Sequence, residues 1–148
     1  ENKMYNDKDL ENFSIENLTL VSKPFKYKIE DGHCVGYHSG AHFFTVGQRK
    51  GLAVGGTKDP LFVLGTDVKK NVIYVGEGKN HPGLFRKSLF INAEDFHFVR
   101  EDFFLNKKGT FKIKARIRYR QPLQQALLLF AEKGIFLIFE NNLSFNLN

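Results

Sequence analysis

From Phe111 to Arg120 the stretch FKIKARIRYR alternates strictly: Phe111, Ile113, Ala115, Ile117 and Tyr119 take one phase, and Lys112, Lys114, Arg116, Arg118 and Arg120 the other. Successive side chains of a β-strand point to opposite faces, so the pattern predicts a strand with an apolar face inward and a cationic row outward. Shorter strand-like runs come before it, namely FKYKI, HFFTV, LFVLGTDV and VIYVGEG, punctuated by the turn signals DGH, GQRKG and KKN. The segment LFVLGTDVKKNVIYVGEG reads as a hairpin that reverses near Lys69, Lys70 and Asn71. After the Pro-Gly turn of HPGLF (His81 to Phe85), a second β-rich region starts near SLFINAEDFHFV. Beyond the basic strand it continues with QQALLLFAE, a Lys133-Gly134 turn and IFLIFE. The ALLLF run is short for a stable helix and lies between strands, which favours a second hairpin.

These elements predict a mainly β protein in three parts. Residues 1–22 are polar and rich in Asn, Asp and Glu with weak helical periodicity, which reads as a loosely attached helix or linker. Residues 23–88 form a small β-rich central module, and residues 89–148 a small antiparallel β-barrel or sandwich of closely spaced strands. The final NNLSFNLN supplies no clear closing strand, so the barrel is expected to be incomplete, with an open edge.

Composition narrows the partner. The chain has 148 residues, 42% of them hydrophobic, enough for the core of one ordinary domain or two small ones. A formal net charge of +6 favours a polyanionic partner, nucleic acid first and an acidic protein surface second. No run approaches the roughly 18 apolar residues of a membrane helix, nothing resembles a signal peptide, and the single cysteine, Cys34, excludes an internal disulfide. The expectation is a reducing, cytoplasmic setting and no membrane partner. A start at Glu1 rather than Met leads to the expectation of a piece of something longer.

Candidate chemistry follows from particular residues. His38 and His42 are four apart in HSGAH, which is metal-ligand spacing on a helix, but Ser39-Gly40 between them argues for a turn, and ordinary polar or core histidines are expected. His81 before Pro82 reads as a turn residue. Cys34 beside His33 reads as a small semi-buried residue, because neighbours in a strand point apart. In GQRKGLAVGG four glycines surround Gln48, Arg49 and Lys50. The segment does not match a P-loop. A structural turn and an RNA-facing turn are equally good readings of it. The basic strand stands apart: edge protection accounts for one or two lysines, whereas three arginines beside Tyr119 suit phosphate oxygens and stacked bases. Residues 107–120 hold Lys107, Lys108 and the five cations above with no acid.

The run GYHSGAHFFTVGQRKGLAVGGTKDPLFVLGTDVKKNVIYVGEGKNHPGLF followed by ARIRYRQP resembles the tRNA-specific 2-thiouridylases, the wobble-uridine thiolases. G-x-H-x-G, T-[IV]-G-Q-R-K-G-L, N-x-[IV]-x-V-G-x-G-x-x-H-P and R-Y-R-Q occur in that order, and the likeness covers about residues 23–140. The resemblance implies a parent enzyme that uses ATP to adenylate the C2 oxygen of the wobble uridine and then replaces it with sulfur from a cysteine persulfide, supplied by a sulfur-relay donor protein. It implies that ATP is bound by an N-terminal domain with an S-G-G-x-D-S signature, that one catalytic cysteine lies there and a second in a G-x-C-F segment, and that this chain, carrying neither, is inactive alone. Catalysis is not transferred to Cys34. The resemblance further implies a C-terminal barrel similar to one in translation elongation factors, and tRNA contact by Arg118, Tyr119, Arg120 and Gln121. The family's closing G-Q-x-x-x-x-Y has no counterpart here. Two rivals share the same residues: a stand-alone RNA- or ribosome-binding barrel, and a barrel whose basic face meets an acidic protein.

Overall fold

The computed structural model describes residues 14–99 and 109–147. The first 13 residues of the expected helix or linker, and Lys107 and Lys108 of the cationic run, lie outside the described residues. Chain contacts divide the molecule into two units, one of Glu1–Lys23 with Arg86–Leu143 and one of Pro24–Phe85 with Ser144–Asn148.

The second of these units is built on a β-hairpin, β1 (Leu61–Asp67) paired antiparallel with β2 (Val72–Glu77). Its turn forms where the Lys-Lys-Asn signal lies. Asn71 adopts φ 53°, a left-handed conformation that Asn tolerates, and the Lys70 N–H donates to Asp67 Oδ1 at 3.0 Å. β1 begins with four consecutive buried residues because both of its faces are covered. Leu61 and Val63 pack with Leu52, Phe44 and Val54, while Phe62 and Leu64 pack with Leu84, Tyr27 and Phe85. The runs FKYKI and HFFTV, expected as strands, are not strands. Tyr27 packs its ring on that of Tyr74 at 5.6 Å, and Ala41–Phe43 is a 3₁₀ turn. Just after HFFTV the backbone pairs with β1 at Val63: the Gly47 N–H donates to Val63 O and the Val63 N–H donates to Gln48 O.

The end of the chain returns to this unit. The Phe145 N–H donates to Leu84 O at 2.8 Å, the Leu147 N–H to Gly47 O at 3.1 Å, and the Asn146 side-chain amide to Lys79 O at 2.9 Å. Gly47 is the position where this tail comes closest. With φ 88° it occupies glycine's region, and a Cβ there would fall on the Phe145 carbonyl.

The other unit is a four-stranded sheet in the order β3 (Phe85–Asn92), β6 (Gly134–Ser144), β5 (Gln124–Ala131), β4 (Thr110–Ala115). ALLLF is a strand, as its position between strands predicts, and the β5–β6 hairpin turns at Glu132 and Lys133. NNLS, expected outside any strand, extends β6 to Ser144. Helix α1 (Ile15–Ser22) starts at Ser14, whose hydroxyl accepts the Asn17 N–H at 3.2 Å, and stops before Pro24, which disfavours helix in the residue ahead of it. Within the described part of the expected helix or linker, this helix is packed through two residues. Leu18 is 1% exposed among Phe136, Ile138 and the half-buried Leu127 and Leu129, and four residues on the Ser22 hydroxyl meets that of Ser88 at 2.6 Å.

The mainly β expectation holds, as does the expected open edge: among the described residues the C-terminal strands form an open sheet, with β3 and β4 at its edges, and not a closed barrel. Four strands are too few to close around a filled interior.

Candidate nucleic-acid interface

The basic strand is shorter than its pattern. β4 pairs with β5 from Thr110↔Leu129 to Ala115↔Gln124, and over those six residues the alternation is real: Lys112 and Lys114 are exposed while Phe111, Ile113 and Ala115 are half-buried. It then stops. β5 begins at Gln124, so residues 116–123 must reverse the chain, and Pro122 has no N–H for a ladder. Arg118, Tyr119, Arg120 and Gln121 therefore lie in a turn, closed by the Gln121 N–H donating to Arg118 O at 3.0 Å, and not on a strand face as the alternation predicts. An evenly spaced row of five cations does not exist. In its place is a compact turn.

Within the loop, the Arg116 guanidinium carbon sits 4.6 Å from the centre of the Tyr119 ring, in cation–π contact, and Tyr119 is 84% exposed. Arg120 is exposed and Arg118 half-buried. Burial lowers the Arg118 guanidinium from its ordinary value, which still leaves so strong a base charged at neutral pH. An exposed aromatic ring with cations on the same loop has the chemistry to stack an unpaired base and hold an adjoining phosphate.

The GQRKG segment gives a second cationic turn, in the hairpin unit. Gln48 fastens it: its Oε1 accepts the Thr45 N–H at 3.1 Å and its Nε2 donates to Lys50 O at 2.9 Å. Its amide is spent on the loop, so Gln48 positions its neighbours. Gly51 follows with φ 85°, again glycine's region, and Arg49 and Lys50 stand exposed. Both line a cleft of about 780 Å³. Residues from the segment after β2 also line it, with Lys79 exposed and His81 half-buried.

Sequence reading did not bring Lys79 and His81 to Arg49 and Lys50. A signal was present in the pairing: Gln48 bonds to β1 at Val63, and Leu61 of β1 pairs with Glu77, so both motifs converge on one end of the hairpin. His81 is the turn residue its sequence predicts, with Nδ1 accepting the Gly83 N–H at 3.0 Å. The Gly40 N–H donates to His38 Nδ1 at 3.1 Å, the turn expected at Ser39-Gly40. Among the described residues no three of His, Cys, Asp and Glu cluster as metal ligands would. Cys34, expected to be semi-buried in a strand, is exposed in a segment without strand pairing, and its thiol points to Gly36 O at 3.5 Å.

A family model described as tRNA methyl transferase PRC-barrel domain matches residues 22–77, which include the GQRKG turn. Whole-chain comparison is more specific. The chain is 53% identical over 141 residues to the tRNA-specific 2-thiouridylase MnmA of Christiangramia forsetii, covering 94% of this chain and 35% of that protein. It is 52% identical to the tRNA-specific 2-thiouridylase of Flavobacterium johnsoniae over 84% of this chain and 32% of the relative, and 43% identical to that of Karelsulcia muelleri over 86% and 33%. The chain belongs to the tRNA-specific 2-thiouridylase family, and it spans about a third of the length of these curated relatives.

Proposed function

We propose that the chain is the tRNA-binding portion of an enzyme that 2-thiolates the wobble uridine of tRNA in the cytoplasm. In this reading the parent enzyme adenylates the C2 oxygen with ATP and replaces it with persulfide sulfur passed on by a relay protein. Those steps belong to segments other than the third spanned here, so this chain binds RNA and does not thiolate by itself. The names of the matching family model and of the relatives differ in the group transferred, methyl or sulfur, and share the tRNA. What the chain contributes is therefore read from its surface.

The observation that carries the proposal is the Arg116–Gln121 loop, where an 84% exposed tyrosine lies under one guanidinium and beside two more. Binding of tRNA to the 148-residue chain, measured at 50 and 200 mM salt, tests it. Each phosphate contact adds about 0.7 (single strand) to 0.9 (duplex) to the slope of log affinity against log salt, so one lost contact narrows the affinity ratio between the two salts by about 2.6- to 3.5-fold. Arg118→Ala and Arg120→Ala are expected to weaken binding and each to flatten the slope by up to one contact. Unchanged affinity and slope in both variants refutes a binding face there.

A further inference from the structure

The cleft beside the GQRKG turn has a construction that a solvated surface does not require. Both of its walls are held by hydrogen bonds. The Gln48 amide, the Val63 backbone and the returning Leu147 fix one wall. On the other, the Gly78 N–H donates to Pro60 O at 2.9 Å and the Asn146 amide grips Lys79 O. The His81 ring is set from two directions. Its Nδ1 is engaged by the Gly83 N–H, which puts the proton of the neutral ring on Nε2, and the ring packs so closely on Gly76 that a Cβ there would meet Nε2 at 2.9 Å. Pro60, Pro82 and Leu147 supply apolar surface between these polar ends. A preformed, partly apolar cleft of about 780 Å³ lies in the range of small-molecule sites, roughly 300–1,000 Å³.

The charges select among possible occupants. Arg49, Lys50 and Lys79 line the cleft together with Asp59 and Glu77, and one oxygen of Glu77 is taken by the Asp59 N–H at 2.6 Å. Three cations against two carboxylates leave an excess of one positive charge. That matches the single charge of a phosphodiester and disfavours both the several charges of a nucleoside triphosphate and an acidic peptide.

Resting on the reading that the chain binds tRNA, we infer that this cleft holds one unstacked nucleotide of the bound strand. The phosphodiester lies against Arg49, Lys50 and Lys79, and the base against the proline rings and His81. The site is a second RNA contact, built from different residues than the Arg116–Gln121 loop.

The test is an amide-shift titration of the 148-residue chain with a single-stranded oligouridylate, uridine 5′-monophosphate, ATP and polyglutamate in separate arms. Alongside it, tRNA binding of Lys79→Gln and Arg49→Gln is measured at 50 and 200 mM salt. The expected result is that oligouridylate shifts the amides of Gly51, Gly78 and Lys79 at lower concentration than any other ligand. Each variant should also narrow the salt ratio by about 2.6-fold, the value for one single-strand contact. If tRNA binds and responds to Arg118→Ala and Arg120→Ala while the cleft amides stay silent and the salt ratio is unchanged in Lys79→Gln and Arg49→Gln, the cleft inference is overturned and the proposed function stands. Stronger shifts with the mononucleotide, ATP or polyglutamate than with the oligomer also overturn it. Absence of any tRNA binding overturns both. The footprint on the unmodified chain keeps the test valid should a variant fail to fold.

Discussion

Replacing Gly47 with alanine tests whether the returning tail holds the GQRKG turn. Gly47 has φ 88°, and an L-residue there costs about 1–2 kcal/mol in backbone strain. The new methyl would also occupy the place of the Phe145 carbonyl, so the tail must move. Moving it puts at risk the bonds from Phe145 to Leu84, from Leu147 to Gly47 and from Asn146 to Lys79, each worth about 0.5–1.5 kcal/mol net. Together the cost is about 3–6 kcal/mol, a large share of the 5–15 kcal/mol typical of a folded domain. Gly56 is the internal control, with φ 89° and nothing within 4 Å of an added Cβ. Gly56→Ala carries the same strain and the same change in unfolded-chain entropy without touching the tail. Urea denaturation of both variants isolates the tail's share as their difference, expected at about 2–4 kcal/mol. If Gly47→Ala is no more destabilised than Gly56→Ala, the tail does not clamp the turn.

Three further outcomes follow from the same structure. Leu18→Ala is expected to cost about 2–4 kcal/mol in chemical denaturation, because Leu18 is the helix residue buried against Phe136 and Ile138, and a loss below 1 kcal/mol means the helix does not dock as described. Tyr119→Ala should leave the urea midpoint unchanged, since the ring is exposed, yet weaken tRNA binding by about 1–3 kcal/mol, the value of one stacked base; equal affinity by filter binding removes the stacking role. Lys87 has its pKa lowered, first by desolvation and against the pull of Glu140, so between the folded value and the unfolded 10.5 the unfolded chain binds more protons and stability rises with pH. Lys87→Met should remove that rise; denaturation curves of wild type and variant at pH 8 and near pH 10.5 that move in parallel contradict the reasoning.

Both hairpins were legible in the sequence because their signals are local. Val68–Asn71 reverses the chain within the few residues whose backbone it bends, and Asn71 takes the left-handed conformation that an Asn accepts. The Glu132-Lys133 turn between two apolar runs worked in the same way. The long alternation at Phe111–Arg120 was local too, and it overran. Period-two patterning states which residues share a face if a strand forms, but a strand lasts only while a partner lies beside it, and β5 begins at Gln124. FKYKI and HFFTV failed for the same reason: their pattern is strand-like, yet the backbone beside them offers no ladder.

The amino-acid sequence by itself determined the β-rich class, the two turns that make the hairpins, the excess of positive charge and the family. Each of these is a property of composition or of neighbouring residues. Tertiary structure alone decided where the cations stand. It moved Arg118, Tyr119 and Arg120 from a strand face into a turn, set Leu18 and Ser22 of the first helix against strands over a hundred and some sixty residues away, and brought the closing tail back to Gly47. It also turned GQRKG from a glycine-rich loop into part of a cleft that Lys79 and His81 line as well. Such contacts join residues far apart in the chain, and the hydrogen bonds that fix them depend on partners no local pattern names.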